Sequence, residues 1–335
     1  MSERTAPITS SELGTLWITY QQKTMLLRML EYFIKCAEDD GARQIMSDLY
    51  GKITSYVSRI QQIFRREGTV IPIGFTAEDV HPSVPKLYDN GFDIMLLRLV
   101  KQISMGMHTL NIGMSYREDL VILYKELTAI TQECYNACTQ YLMQRGLLAR
   151  SPAVSMPTSI EFVESTQYLG GLNPFAKKRS LNTIEVAHLF HAIESNVTGM
   201  HLIMGFAQCA NSPEVRKFFS EGTELAKSII KELSEVLLEC GIETPSSWGG
   251  NATRSTVAPF SDKLMMYCVS LFCSFSMGGN SLGTAFSLRN DLSAKITVFM
   301  KDVFEYAHEG AKLMIRNGWM EEPPQMEERN KLIQA

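Results

Sequence analysis

Apolar side chains recur at every third or fourth position through most of the chain, as in Leu26, Met29, Leu30 and Phe33, or in Ile229, Ile230, Leu233, Val236 and Leu237. That spacing lays a stripe along one side of a helix; a half-buried strand would alternate every second residue. Alternation shows only briefly, in "TVIPIGF". The pattern predicts eight helices, near residues 10–38, 42–67, 85–114 and 118–145, then 183–210, 213–240, 261–286 and 291–317. Thr9 stands three residues before Glu12, and Asn182 three before Glu185, which is capping-box spacing. Pro213 follows Ser212 at a first helical position, where its missing N–H costs nothing. Gly68, Gly146, Gly241 and Gly318 each follow a long periodic run, where a left-handed residue closes a helix.

The two sets of four helices are copies. "SYREDL" at 115–120 returns as "SLRNDL" at 287–292, an offset of 172 that also carries Gly146 onto Gly318. Earlier in the chain an offset of 173 brings Glu12 onto Glu185, Leu16 onto Leu189, Phe33 onto Phe206, Cys36 onto Cys209, Arg43 onto Arg216, Gly68 onto Gly241 and Phe75 onto Trp248. Within each copy a few residues join helices one and two, and three and four, so these pairs run antiparallel. About twenty residues separate helices two and three. A helix of ~26 residues is ~39 Å long, and ~20 extended residues reach up to ~65 Å. The connection therefore runs back along the bundle, the single crossover of a ferritin-like fold.

The expected fold is all-α: two tandem ferritin-like four-helix bundles, each with a long crossover between helices 2 and 3. The first occupies 8–150 and the second 181–324, each burying its own apolar stripe. Residues 151–180 form an inter-domain segment expected to pack over a bundle or the seam through Phe162, Tyr168, Leu169, Leu172 and Phe175, and 325–335 form a flexible tail. The repeated motif (Ser115, Arg117, Asp119 and Ser287, Arg289, Asp291) reads as architecture. Ser and Asp suit helix starts, and each arginine can pair with the neighbouring aspartate or cap carbonyls of helix three.

"SELGTLWITYQQKTM", "GMSYREDL", "LNTIEVAHLFH" and "NGWMEEPP" resemble a family of spore-forming Gram-positive bacteria known as domain of unknown function 3231. The resemblance covers about residues 10–324. It implies ferritin-like bundles and, through single-copy relatives labelled as spore coat proteins, a spore association. It implies no activity and no catalytic residues.

Composition narrows the function classes. The 32 basic and 36 acidic residues are spread along the chain for a net charge of −4, so the clustered basic face of a nucleic-acid binder is missing. No apolar run reaches the ~18 residues that span a bilayer, and the N-terminus lacks the apolar core of a signal peptide. Seven cysteines without a CxxC pair read as reduced thiols of a cytoplasmic protein; incorporation into a spore is what the resemblance implies. Self-association and contacts with other proteins stay open as partner classes.

Three sets of residues could carry chemistry. In the second copy, "EVAHLFHAIE" and "EYAHEG" place Glu185, His188, His191, Glu194, Glu305 and His308 at three-residue helical spacings suited to Fe, Mn or Zn. Level along the bundle narrows the metal ligands to His191, Glu194, Glu305 and His308. Against them, the third helix of that copy has no acid after Asp262, and the first copy keeps neither histidine. In the first copy, Met105, Met107, His108 and Met114 offer soft Cu(I) donors but read better as core. Gly278, Gly279 and Gly283 crowd one helix at ~1 kcal/mol each relative to Ala, which implies close packing, a kink, or a pocket beside Cys273 and Met277. The readings are thus a non-catalytic structural or interaction protein, a metal-binding protein with oxidative chemistry, or a binder of a small apolar ligand.

Overall fold

The structure is a computed structural model, and it describes residues 6–89, 91–173, 175, 178–245 and 251–329. Trp248 and residues 330–335 lie outside the described residues, so the pairing of Phe75 with Trp248 is not addressed. Eight α-helices are present among the described residues: α1 (Ser10–Cys36), α2 (Asp40–Arg66), α3 (Phe92–Gly113), α4 (Glu118–Gln144), α5 (Thr183–Cys209), α6 (Pro213–Glu239), α7 (Asp262–Phe286) and α8 (Asn290–Arg316). Helices α1, α2 and α4 and their counterparts α5, α6 and α8 all have 27 residues, so the duplication is preserved turn for turn. Both capping boxes form. Gly68, Gly146, Gly241 and Gly318 take φ of 69°, 64°, 70° and 67°, the left-handed closure expected of them. Among the described residues no helix is long and apolar enough to cross a membrane.

Each copy is a four-helix bundle with a long crossover. Helical hairpins α1–α2, α3–α4, α5–α6 and α7–α8 are closed by contacts of α1 with α3, α2 with α4, α5 with α7, and α6 with α8. Helix α3 starts at Phe92 rather than near 85. Residues 85–89 stay extended because their backbone is already engaged: the Leu87 N–H donates to the Tyr32 hydroxyl (2.7 Å), and the Leu87 carbonyl accepts from Thr253 N (2.8 Å).

The two crossovers pair with each other. His81 N donates to the Pro259 carbonyl (2.8 Å), Ser261 N to Asp79 (3.1 Å), and Asp89 N to Asn251 (2.9 Å), making antiparallel bridges at Val80–Phe260 and Tyr88–Ala252. Phe260 is buried among the rings of Tyr32, Phe33 and Phe206, at centroid distances of 5.3, 6.3 and 6.3 Å. The Tyr88 hydroxyl donates to the Leu202 carbonyl (2.7 Å). A Cβ on Gly205 would stand 2.5 Å from the Tyr88 ring, so only glycine admits this approach. The buried apolar residues consequently form one continuous cluster through both bundles. The expectation of two separate apolar interiors is corrected: interlocked crossovers join them.

Among the described residues of 151–180, the apolar side chains do not cover the seam. Phe162 is 86% and Phe175 97% exposed, and Leu169 and Leu172 are also exposed. The crossovers have already closed the faces these side chains were expected to fill. The end of the segment docks on the second bundle instead: the Tyr168 hydroxyl accepts from Asn182 Nδ2 (3.3 Å), Lys178 pairs with Asp291 (3.2 Å), and Arg179, whose guanidinium lies 3.9 Å from the Tyr168 ring centroid, pairs with Glu185 (2.7 Å).

Candidate functional site

The repeated corner is a buried polar staple. One Glu12 oxygen accepts from Thr9 N (2.9 Å) to close the capping box, and the other accepts Tyr116 N and Arg117 N (2.8 Å each). Glu185 does the same for Asn182 N (3.0 Å), Leu288 N (3.2 Å) and Arg289 N (3.0 Å). Arg117 grips Asp119 with two bonds (3.1 and 2.9 Å), and Arg289 grips Asp291 (2.8 and 3.1 Å), as the spacing suggested. Two details differ. Ser115 Oγ donates to the Asn111 carbonyl (2.7 Å) and so closes α3 instead of starting α4. The helix starts fall on Arg117 and Arg289, which make no side-chain cap. The reach of the capping glutamates across to the corner was not anticipated, although Glu12 and Glu185 hold the same position relative to the motif. The second corner also has Arg179, which donates to both Glu185 oxygens (2.8 and 2.7 Å).

The four residues expected to hold a metal are not brought together. Glu194 pairs with Arg98 Nη1 (2.8 Å), and His191 Nε2 lies 3.0 Å from the Gln102 amide nitrogen, so both face α3 of the other bundle. Glu305 pairs with Lys301 (3.0 Å), and the exposed His308 ring stacks on Phe304 (6.1 Å, 9°). Helix α8 turns Ile296, Phe299, Val303 and Leu313 inward, and residues 305 and 308 fall outside that stripe. His188 stacks on Phe286 (5.8 Å, 8°), and Glu185 belongs to the corner. Among the described residues no three His, Cys, Asp or Glu side chains are grouped so as to hold a metal ion.

What the second bundle does contain is a cavity of about 100 Å³ between its four helices. Leu225, Ala226, Ile229, Leu233, Ile296 and Val303 of α6 and α8 make an apolar floor. His188, His191, Ser195 and Asn196 of α5, with Ser276 and Asn280 of α7, make a polar strip. Burial, then the neighbouring Arg98 and His188, hold the His191 imidazole below its ordinary value, which keeps it neutral. Its Nε2 then accepts from Gln102, and Nδ1 carries the ring proton. Ser195 Oγ is buried with no partner among the described residues. A Cβ on Gly278 or Gly279 would meet nothing within 4 Å, so close helix packing does not explain these glycines. Gly279, Gly283 and Cys273 line the cavity as expected, whereas Met277 is partly buried against the core and does not line it.

In the first bundle the equivalent space is filled. Lys23, Lys101 and His108 stand where Asn196, Cys273 and Asn280 line the cavity, 173, 172 and 172 residues later. All three are buried. Lys23 Nζ lies 2.8 Å from His108 Nε2, and Thr131 Oγ1 lies 3.4 Å from His108 Nδ1. Lys101 Nζ has no partner among the described residues. Burial pushes the Lys23 amine well down, with repulsion from Lys101 adding to it, and lowers Lys101 and His108 as well. A buried cation without a counter-ion gives up its proton, so the trio packs as neutral polar groups. The buried His108 agrees with a core role for "MGMHTLNIGM". The two lysines were not anticipated, yet Lys23 falls on the stripe of Leu16, Leu26 and Leu30, and Lys101 on that of Ile94 and Leu97.

No curated protein matches the chain. Among solved structures, a Bacillus halodurans C-125 protein named "putative spore coat protein" is similar over 45% of this chain and 98% of its own, at 17% identity and a TM-score of 0.43. A family model described as "Protein of unknown function (DUF3231)" matches twice, over residues 1–160 and 170–332. With one match on each four-helix copy, the chain belongs to the DUF3231 family as a tandem member.

Proposed function

We propose that this is a non-catalytic binding protein that holds a small, mostly apolar molecule inside its second bundle. The observation that carries this reading is the contrast between the copies: the space that Lys23, Lys101 and His108 fill in the first is left as a cavity in the second. An engineered apolar cavity of ~150 Å³ takes benzene, so about 100 Å³ suits a single ring or short chain. The polar strip adds one hydrogen-bonding group. The ligand is uncharged, because no Asp, Glu, Lys or Arg among the described residues lines the cavity.

Phenol, cyclohexanol and hexanol are suitable probes, read by thermal shift, since a ligand bound only to the folded state raises the melting temperature. At least one should raise it, and Gly279→Leu, which grows a side chain from a cavity-lining position, should abolish the rise. Gly279→Ala should stabilise the ligand-free protein by about 0.5–1 kcal/mol, the helical difference between the two residues. Failure of every probe, with Gly279→Leu behaving as the parent, would remove the proposal.

The same reading expects purified protein without a histidine tag to carry no stoichiometric Fe, Mn or Zn, and to gain no thermal stability from these ions. One metal per chain, lost on His308→Ala, would restore the metal-binding alternative.

A further inference from the structure

The seams between the bundles also come as a related pair, one closed and one open. At the first, α3 packs on α5 and the Arg98–Glu194 ion pair fills the cleft, leaving about 30 Å³ beside Leu142 and Leu147. At the second, α7 faces α1 across a cleft of about 100 Å³. Gln21 stands there at the position of Glu194, 173 residues earlier, and Ser270 at that of Arg98, 172 later. Replacing both charged residues with smaller or neutral ones removes the pair that plugs the first seam.

The open cleft has its own recognition groups. Phe75, Tyr267 and Trp319 form aromatic walls, with the Phe75 and Tyr267 rings 5.0 Å apart. Lys263 and Glu321 stand where the closed seam has Gly91 and Ala149. Lys263 Nζ donates to the Gly74 carbonyl (2.9 Å) and lies 5.0 Å from the Phe75 centroid. It pairs with no carboxylate among the described residues, so two of its three protons are free. The Glu321 oxygens accept Ile73 N (2.8 Å) and Gly74 N (2.7 Å), which fixes the carboxylate while leaving about two of its four lone-pair sites. The backbone beneath is held too: Gly74 has φ 62°, and Phe75 N donates to Thr24 Oγ1 (3.2 Å). Burial, with Glu321 adding to it, raises the Tyr267 phenol, so its hydroxyl stays a donor.

We propose that this cleft binds a free α-amino acid as its zwitterion, with the carboxylate at Lys263, the ammonium at Glu321 and an apolar side chain against Phe75, Tyr267 and Trp319. A ligand with one charge alone satisfies one of these residues and meets like charge in the other. The zwitterion satisfies both.

The test is calorimetric titration of the full chain with L-phenylalanine, L-leucine and L-methionine, alongside 3-phenylpropanoate and 2-phenylethylamine, which each lack one charge. At least one amino acid should bind below about 1 mM, and each single-charge analogue at least about tenfold more weakly. Lys263→Met and Glu321→Gln should each weaken binding by at least about tenfold. The double variant Gln21→Glu/Ser270→Arg, which copies the closed seam, should abolish binding with the helical circular dichroism unchanged. Gly279→Leu should leave it untouched, which separates this site from the cavity in the second bundle. No heat with any amino acid at about 10 mM, equal binding of an analogue, or parental affinity in the double variant would each overturn the assignment.

Discussion

Glu185→Ala should destabilise the chain by about 3–5 kcal/mol, the range for removing one partner of a buried ion pair. The Glu185 carboxylate accepts five hydrogen bonds, from Asn182 N, Leu288 N, Arg289 N and two Arg179 nitrogens, and is itself fully buried. Its loss strands three backbone amides and a guanidinium, and unties the start of α5 from the α7–α8 corner. Glu12→Ala should cost less, because Glu12 has no counterpart of Arg179. Denaturant titration of both variants measures the difference, and a Glu185→Ala cost under about 1 kcal/mol would refute the staple. The pH dependence has a defined sign. Burial pushes the Glu185 carboxyl up, but Arg179 and the backbone amides outweigh it and hold it below its ordinary 4.5. Its stabilisation is therefore present above pH 4.5 and lost as pH falls through the lowered value.

Lys101→Met should act in the opposite direction and stabilise the protein by about 1–3 kcal/mol, the cost of a buried polar group without a partner. Methionine keeps most of the stem and removes the amine left unpaired in the first bundle. The same interior predicts that stability rises with pH above neutrality. Lys23 is deprotonated in the folded chain well below the value at which it loses its proton unfolded. Between those values the unfolded state binds the extra proton, so folding gains about 1.4 kcal/mol per pH unit. Above pH 9 the gain is opposed, because burial holds Cys209, Cys268 and Cys273 up to about 12 while unfolded thiols ionise. Thermal melts between pH 7 and 9 should climb for the parent and climb less steeply for Lys23→Met, which keeps the lowered Lys101. A parent curve that falls over this interval, or a destabilised Lys101→Met, contradicts the neutral-lysine interior.

The sequence pattern revealed what depends on neighbours a few residues apart. Stripe spacing located the helices, and the four glycines and two capping boxes marked their ends. What it missed depends on distant partners. The start of α3 was misplaced because Pro85 reads as a helix opening, whereas Leu87 is drawn into pairing with Thr253, more than 160 residues away. The choice of metal ligands rests on helical spacing and level along the bundle, neither of which fixes how a helix is rotated. Helical spacing puts Glu305 and His308 on a common face, but only the full stripe of Ile296, Phe299, Val303 and Leu313 shows that this face looks outward. The buried lysines were legible in principle, being charged residues inside apolar stripes. The binary pattern passed over them because a long aliphatic stem with a removable proton counts as polar on the page and packs as apolar in the bundle.

The interlocked crossovers bear on how the nascent chain acquires its form. As the ribosome delivers the first bundle, the segment around Val80 and Tyr88 emerges with its backbone N–H and C=O groups unanswered, and Phe260 is still unsynthesised. Those groups wait for residues 251–261 before they find their complement. Translation must therefore reach about residue 261 before this seam of the first bundle can close. An N-terminal fragment ending near residue 150 would carry a permanent adhesive seam.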